Sequence, residues 1–224
     1  MDWQALSVSL TLAMATAAIL LPVGIALARW LAYSRRKWKS VLEAALALPL
    51  ILPPTVLGFY LLLGMGAGSP LGALYQGIVG APLAFSFIGL LVASVIVNLP
   101  FAVLPMQRSF GAIPAEVLDA AKTCGMSRAR TLWRIELPLA WPGIVTGLIM
   151  TAAHTLGEFG VVLMVGGSIP GETRTIAISI YDRVQAFDMH GAGVMSAMLL
   201  AIALTALAAI TLLGRTQTNA RPLP

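Results

Sequence analysis

Residues 119–138 read DAAKTCGMSRARTLWRIELP. This stretch is charged and turn-rich, yet it lies in a chain that is otherwise apolar enough for a bilayer. Upstream of it, from Ala44 to Gln107, 64 consecutive positions carry no Asp, Glu, Lys or Arg. A membrane-crossing helix needs roughly 20 apolar residues, so that run suits two crossings and a connection. Over all 224 residues, 58% are hydrophobic and 10% charged, against about 25% charged in soluble domains. The alternation expected of a membrane β-barrel is absent from the sequence. The fold class expected is an all-α integral membrane protein.

Five apolar segments stand out, at about 5–28, 41–65, 83–106, 139–165 and 191–213. Together with the polar insert at 109–138 they form one transmembrane domain, 1–224. The first segment has Asp2 as its only charge before Arg29 and exceeds the apolar core of a signal peptide, so a retained first span is expected. Twelve of the 14 basic residues fall in the loop at 29–39, the insert at 108–134 and the tail (Arg215, Arg221); Arg174 and Arg183 fall elsewhere. The positive-inside rule puts the twelve in the cytoplasm, the N-terminus outside and the C-terminus inside, which requires an odd number of crossings. The net charge of +5 has that origin and does not point to nucleic acid. Pro49, Pro53 and Pro54 predict a break or kink in the second segment. Gly143 and Gly147 allow close helix contact.

Within the insert, Ile113-Pro114-Ala115-Glu116 reads as a helix start, with Pro114 at the first helical position. Ile113, Val117, Ala121 and Cys124 recur at helical spacing as an apolar stripe. Gly125 suits a C-terminal cap. Ser127 caps a second short helix, Arg128–Leu137, which Pro138 ends. The insert is thus expected to be a compact, basic helix-turn-helix whose outward face needs a partner.

At this point the residues resemble a family. Asp119-Ala120-Ala121, three residues, Gly125, nine residues, Ile135, one residue and Leu137-Pro138 match the spacing of the cytoplasmic EAA loop of bacterial ABC importer permeases, with Asp119 for the usual glutamate. Leu48–Gly58 with Ser69–Gly72, and Leu156–Gly160 with Ile169–Thr175, resemble the molybdate permeases, and tungstate and sulfate/thiosulfate permeases have related versions. The resemblance implies a type I importer permease working as a homodimer. It implies two cytoplasmic ATPase subunits, a periplasmic oxyanion-binding protein, and residence in the bacterial inner membrane. It makes Glu116, Asp119, Ala120, Ala121, Gly125, Ile135, Leu137 and Pro138 the ATPase-coupling loop.

Other chemistry is sparse in the sequence. It has no Walker A loop, no GxSxG and no HExxH, so no catalytic residue, metal or cofactor is expected, and ATP hydrolysis belongs on another polypeptide. Pro53, Pro54, Thr55, Asn98, Thr151 and Glu158 are candidates for a pathway or gate, with Ser94 and Thr146 as further polar groups. Glu158 is the one acid deep in a segment. Three partners suit it: backbone, Arg174, or His154 one helical turn earlier. An intramembrane enzyme built on His154 and Glu158 is the alternative from another class. A non-transporting scaffold subunit is a third.

Overall fold

The computed structural model describes residues 1–218, with side chains described to residue 212; Arg221 and the C-terminus lie outside the described residues. Among the described residues there are helices and no strands. Lipid offers no hydrogen bonds, so apolar segments must satisfy their backbones internally, and helices do so.

The first helix, α1 (Trp3–Tyr33), begins at Asp2, whose Oδ1 accepts the Ala5 N–H at 2.9 Å. It runs five residues past the expected end, so Arg29 sits within it and not in a loop. The second segment is broken as its prolines predict. α2 (Lys39–Ile51) and α3 (Pro54–Met65) meet at a bend of 112°. Pro54 opens α3 at a first-turn position, where its missing N–H costs nothing. The pair still carries the chain from one end of the bundle to the other. Glu43 on α2 accepts a hydrogen bond from Gln107 near the end of α5 (Phe87–Gly111), whereas Met65 packs with Leu83 and Ala84 just before α5 starts. Four straight helices are long and apolar enough to cross a membrane, and the bent pair makes up to five.

Between α3 and α5 lies α4 (Pro70–Val79), which the sequence reading left as a connection; Ser69 caps it through the Gly72 N–H at 2.9 Å. The third crossing starts at Phe87, not Leu83, because Ser86 caps it and Phe85 occupies a left-handed turn at φ 60°. Pro100 and Pro105 lie inside α5 without ending it. The insert contains α6 (Ala115–Thr123) and α7 (Arg128–Thr131). The fourth crossing is α8 (Leu137–Gly157), followed by a break and the short α9 (Gly160–Gly166), so the expected single segment 139–165 is two helices. α10 (Ile176–Gln185) and α11 (Met189–Thr218) complete the chain.

The core joins α1, α5 and α8 through Leu20, Leu31, Val103, Met106, Phe110 and Ile144. Gly143 and Gly147 act as their spacing suggests. A Cβ on Gly147 would come within 2.7 Å of the Ala102 carbonyl, and one on Gly143 within 2.7 Å of the Pro105 carbonyl. The α8 backbone is therefore in direct contact with α5.

The two ends of the bundle differ in charge. At one end Asp2 Oδ2 accepts the Ser179 hydroxyl at 2.9 Å, and Arg174 lies 3.6 Å from Asp182. At the other, Arg29 and Tyr33 meet Glu136 and the Phe110 carbonyl, bringing the first basic loop beside the insert.

Candidate functional site

The insert is a compact knob at the basic end. Gly125 takes φ +69°, and the Met126 N–H returns to the Ala121 carbonyl at 3.0 Å, closing α6 as the glycine predicts. Ser127 Oγ then accepts the Arg130 N–H at 3.3 Å and starts α7. Pro114 stands one position before the helix, as its cap, not at its first residue. The expected apolar stripe divides in two. Ile113 and Ala121 are buried at 8% and 4% exposure against the chain's own body, with Leu118 half-buried on the core. Glu116, Val117, Asp119, Ala120 and Cys124 face outward. Asp119 pairs with Lys122 at 2.7 Å, but both side chains are mostly exposed, so the pair adds little stability.

Pro138 does not end a helix, contrary to expectation. α7 runs through a π turn at Leu132–Glu136 directly into α8, giving one helix from Arg128 to Gly157. A proline inside an α-helix lacks a donor, and its ring strikes the carbonyl four residues back. The widened turn just before Pro138 relieves that conflict: the Leu137 N–H reaches back five residues to the Leu132 carbonyl. The same turn aims Glu136 inward. Its carboxylate takes two hydrogen bonds from Arg29, Nε at 2.5 Å and Nη2 at 2.9 Å, across 107 residues of sequence. Glu136 is 3% exposed. Ile135 and Leu137 are half-buried beside it, while Pro138 is exposed. Sequence reasoning passed over Glu136 and Arg29. The available signal was an acid inside the otherwise apolar run Ile135-Glu136-Leu137.

A second polar cluster lies at the α8–α9 break. Glu158 is not inside a helix; it ends α8, and its Oε1 accepts the Val161 N–H at 2.9 Å, capping α9. Its Oε2 lies 3.7 Å from His154 Nε2. Of the three partners suited to Glu158, backbone and His154 are the ones beside it; Arg174 is not, since its Nε donates to Ser168 Oγ at 2.9 Å and faces Asp182. Asn98 Nδ2 donates to the Ser94 carbonyl at 2.8 Å, which turns its Oδ1 toward His154 Nδ1 at 3.1 Å. A carbonyl only accepts, so the His154 proton belongs on Nδ1. Phe101 stacks on the imidazole at 4.0 Å. Asn98 and Thr151 are fully buried, and the Thr151 hydroxyl has no hydrogen-bond partner among the described residues. Thr146 donates to the Pro142 carbonyl. Pro53, Pro54 and Thr55 are exposed. A Cβ on Gly160 would approach Pro54 Cβ to 2.7 Å, so the two helix breaks adjoin. Of the candidates, the structure gathers Pro54, Thr55 and Glu158 around these breaks, and Asn98 through His154.

Residues 20–221 match the family described as "Binding-protein-dependent transport system inner membrane component". The "Molybdenum transport system permease protein ModB" of Azotobacter vinelandii is 48% identical over 187 residues, covering 84% of this chain and 83% of that one. A "Probable sulfate transport system permease protein cysT" of Chlorokybus atmophyticus is 34% identical over 74% of this chain and 58% of its own length. In fold, the chain resembles a bacterial ABC transporter involved in the import of the acidic polysaccharide alginate, with TM-score 0.71, 15% identity, and coverage of 98% of this chain and 79% of that one.

Proposed function

Because the chain belongs to the inner-membrane components of binding-protein-dependent transport systems, we propose that it is the permease subunit of an ATP-driven importer carrying molybdate into the cytoplasm. It is a multi-pass, all-helical protein of the inner membrane, with the fold of ABC transporter permeases. The molybdate reading is supported by the 48% identity to a molybdenum permease, shared over more than four-fifths of both chains. Sulfate is the second reading, supported by a sulfate permease relative matched over a smaller share of its length.

The geometry that carries the reading is the knob. α6 is clamped to the bundle by Ile113 and Ala121 and presents Glu116, Val117, Asp119 and Ala120 outward. That is the form of a docking element. In our reading it seats in a separate ATPase subunit, and Gly125 fixes its angle. Ile135, Leu137 and Pro138 then pass motion through the π turn into α8. Two permease copies form the passage, two ATPases lie beneath it, and a periplasmic binding protein delivers the oxyanion. The basic end faces the cytoplasm and Asp2 the periplasm. The adjoining breaks at Pro53–Thr55 and Glu158 are the gate, since irregular backbone at membrane depth is tolerated where it lines a cavity.

The test is isotope uptake in cells carrying the transporter. Labelled molybdate should enter, and a hundredfold excess of sulfate should leave its uptake nearly unchanged. Loss of uptake under sulfate would transfer the assignment to sulfate.

A further inference from the structure

On the outer face of the bundle, α1 and α8 diverge and leave an apolar groove of about 1260 Å³. Along α1 it extends from Leu21 to Trp30, roughly 14 Å at 1.5 Å per residue. That is about half of a 30 Å hydrocarbon core, the depth of one leaflet. The π turn and Pro138 form the opposite wall. The end of the groove nearest the basic loops carries Trp30 and Trp133, with Trp141 about two turns deeper along α8; tryptophan gathers at the boundary between hydrocarbon and headgroups. Trp133 and Trp141 are 71% and 58% exposed.

At this end the groove also holds one cation. Arg29 gives Nε and Nη2 to Glu136, and its side chain remains about a third exposed (34%). Its Nη1 edge makes no hydrogen bond among the described residues, so the guanidinium can hold Glu136 and still donate to an oxygen outside. Arg35, Arg36 and Lys37 follow on the exposed loop beyond α1.

We propose that this groove seats one anionic phospholipid of the leaflet at the basic end, with an acyl chain between α1 and α8 and its phosphate on the free edge of Arg29. Charge at the Arg29 end decides the occupant. A second copy oriented the same way would bring its own basic loops to that depth, whereas a phospholipid supplies both an apolar tail and an acceptor-only headgroup. The seat lies against the π turn, so the lipid would brace the junction through which the knob meets α8. The inference rests on the membrane placement proposed above and is independent of the ion transported.

The full chain with benzoylphenylalanine at position 26 is irradiated in bilayers of phosphatidylglycerol and phosphatidylethanolamine, because Ala26 lines the groove and is exposed. The expected product is the chain plus one phosphatidylglycerol. In parallel, native mass spectra of the solubilised wild type should show phosphatidylglycerol retained at least fivefold over phosphatidylethanolamine. Ala26→Trp, which adds bulk to the groove while leaving both residues of the Arg29–Glu136 pair in the chain, should lower that retention at least fivefold. A crosslink to a second copy or another protein, equal retention of the two lipids, or unchanged retention in Ala26→Trp would each overturn the proposal. The crosslink on the otherwise native chain decides the matter even if Ala26→Trp fails to fold. A failed molybdate uptake assay would leave the lipid result standing.

Discussion

The Glu136 carboxylate is the most buried acid among the described residues, and its worth depends on what is left behind when it goes. Glu136→Gln keeps the shape but leaves Arg29 without its anion, at a cost of about 1–3 kcal/mol; the one-third exposure of Arg29 keeps this below the range for a fully buried pair. Replacing both partners, as in Arg29→Met with Glu136→Leu, should recover part of the loss, because burying neither charge is often no worse than burying both. Thermal unfolding of the two single variants and the double variant measures the coupling directly. The knob yields a sharper contrast. Val117→Asp places a charge on the exposed face and should abolish ATPase pull-down while leaving thermal stability unchanged. Ala121→Asp instead puts a charge at a position 4% exposed and should destabilise the chain itself. Equal behaviour of the two would remove the docking face. A third test concerns Asp2. Burial alone would raise its pKa, but the Ala5 N–H and Ser179 hydroxyl, with Arg174 and Arg183 nearby, outweigh it and hold the carboxyl below its ordinary 3.8. A depressed carboxylate contributes stability above the unfolded value and loses it as pH falls through the folded one. Asp2→Asn can still cap α1, so the melting difference from wild type should be constant from neutral pH to about pH 5, begin to shrink near 3.8 and vanish only below the depressed folded value. The spacing of residues 119–138 made the knob readable from sequence. It could not tell which part of the apolar stripe is covered, because Val117 and Ala121 lie one turn apart on the same face and only Ala121 is buried.

Among the helices, α5 and α8 meet backbone to backbone, made possible by two missing side chains. Gly147→Leu would force atoms into the Ala102 carbonyl, 2.7 Å from where a Cβ would stand. Backbone cannot yield as a flexible side chain can, so overpacking should cost at least about 1–3 kcal/mol. Thermal unfolding and the yield of folded protein report it. Gly157→Ala, where a Cβ meets nothing within 4 Å, is the control and should be near neutral apart from a small shift in helix propensity. The five apolar segments were legible because lipid demands length and apolarity of every crossing. Their breaks were less so. Pro53 and Pro54 announced the bend between α2 and α3, but Pro138 announced a stop that a π turn removed, and no proline marks the break at Glu158. There the signal was the acid itself, which caps α9 and cannot lie within an apolar helix. The short α4, α9 and α10 escaped the reading because none has the length of a crossing, and Ser69 as a cap is visible only once α4 is suspected.

For the molecule as a whole, sidedness follows from which loops meet. Arg29 meets Glu136 and Tyr33 meets the Phe110 carbonyl, so the first basic loop and the knob share one end. Asp2 meets Ser179, so the N-terminus and α10 share the other. α2 and α3 together carry the chain between those ends despite their 112° bend. If they did not, every later segment would reverse, and α6 would sit beside Asp2, which the contacts contradict. In the proposed orientation the basic end is the cytoplasmic one, because translocating basic residues is disfavoured. Alkaline phosphatase, active only outside, reads this directly when fused at successive positions. Fusions after residue 75 in α4 and residue 180 in α10 should be active; fusions after residue 36 in the first loop and residue 125 in the knob should be inactive. Activity at 125 alone would mean that the bent pair turns back instead of crossing. Activity at both 36 and 125, with silence at 75 and 180, would invert the whole molecule and place the knob where no ATPase could reach it.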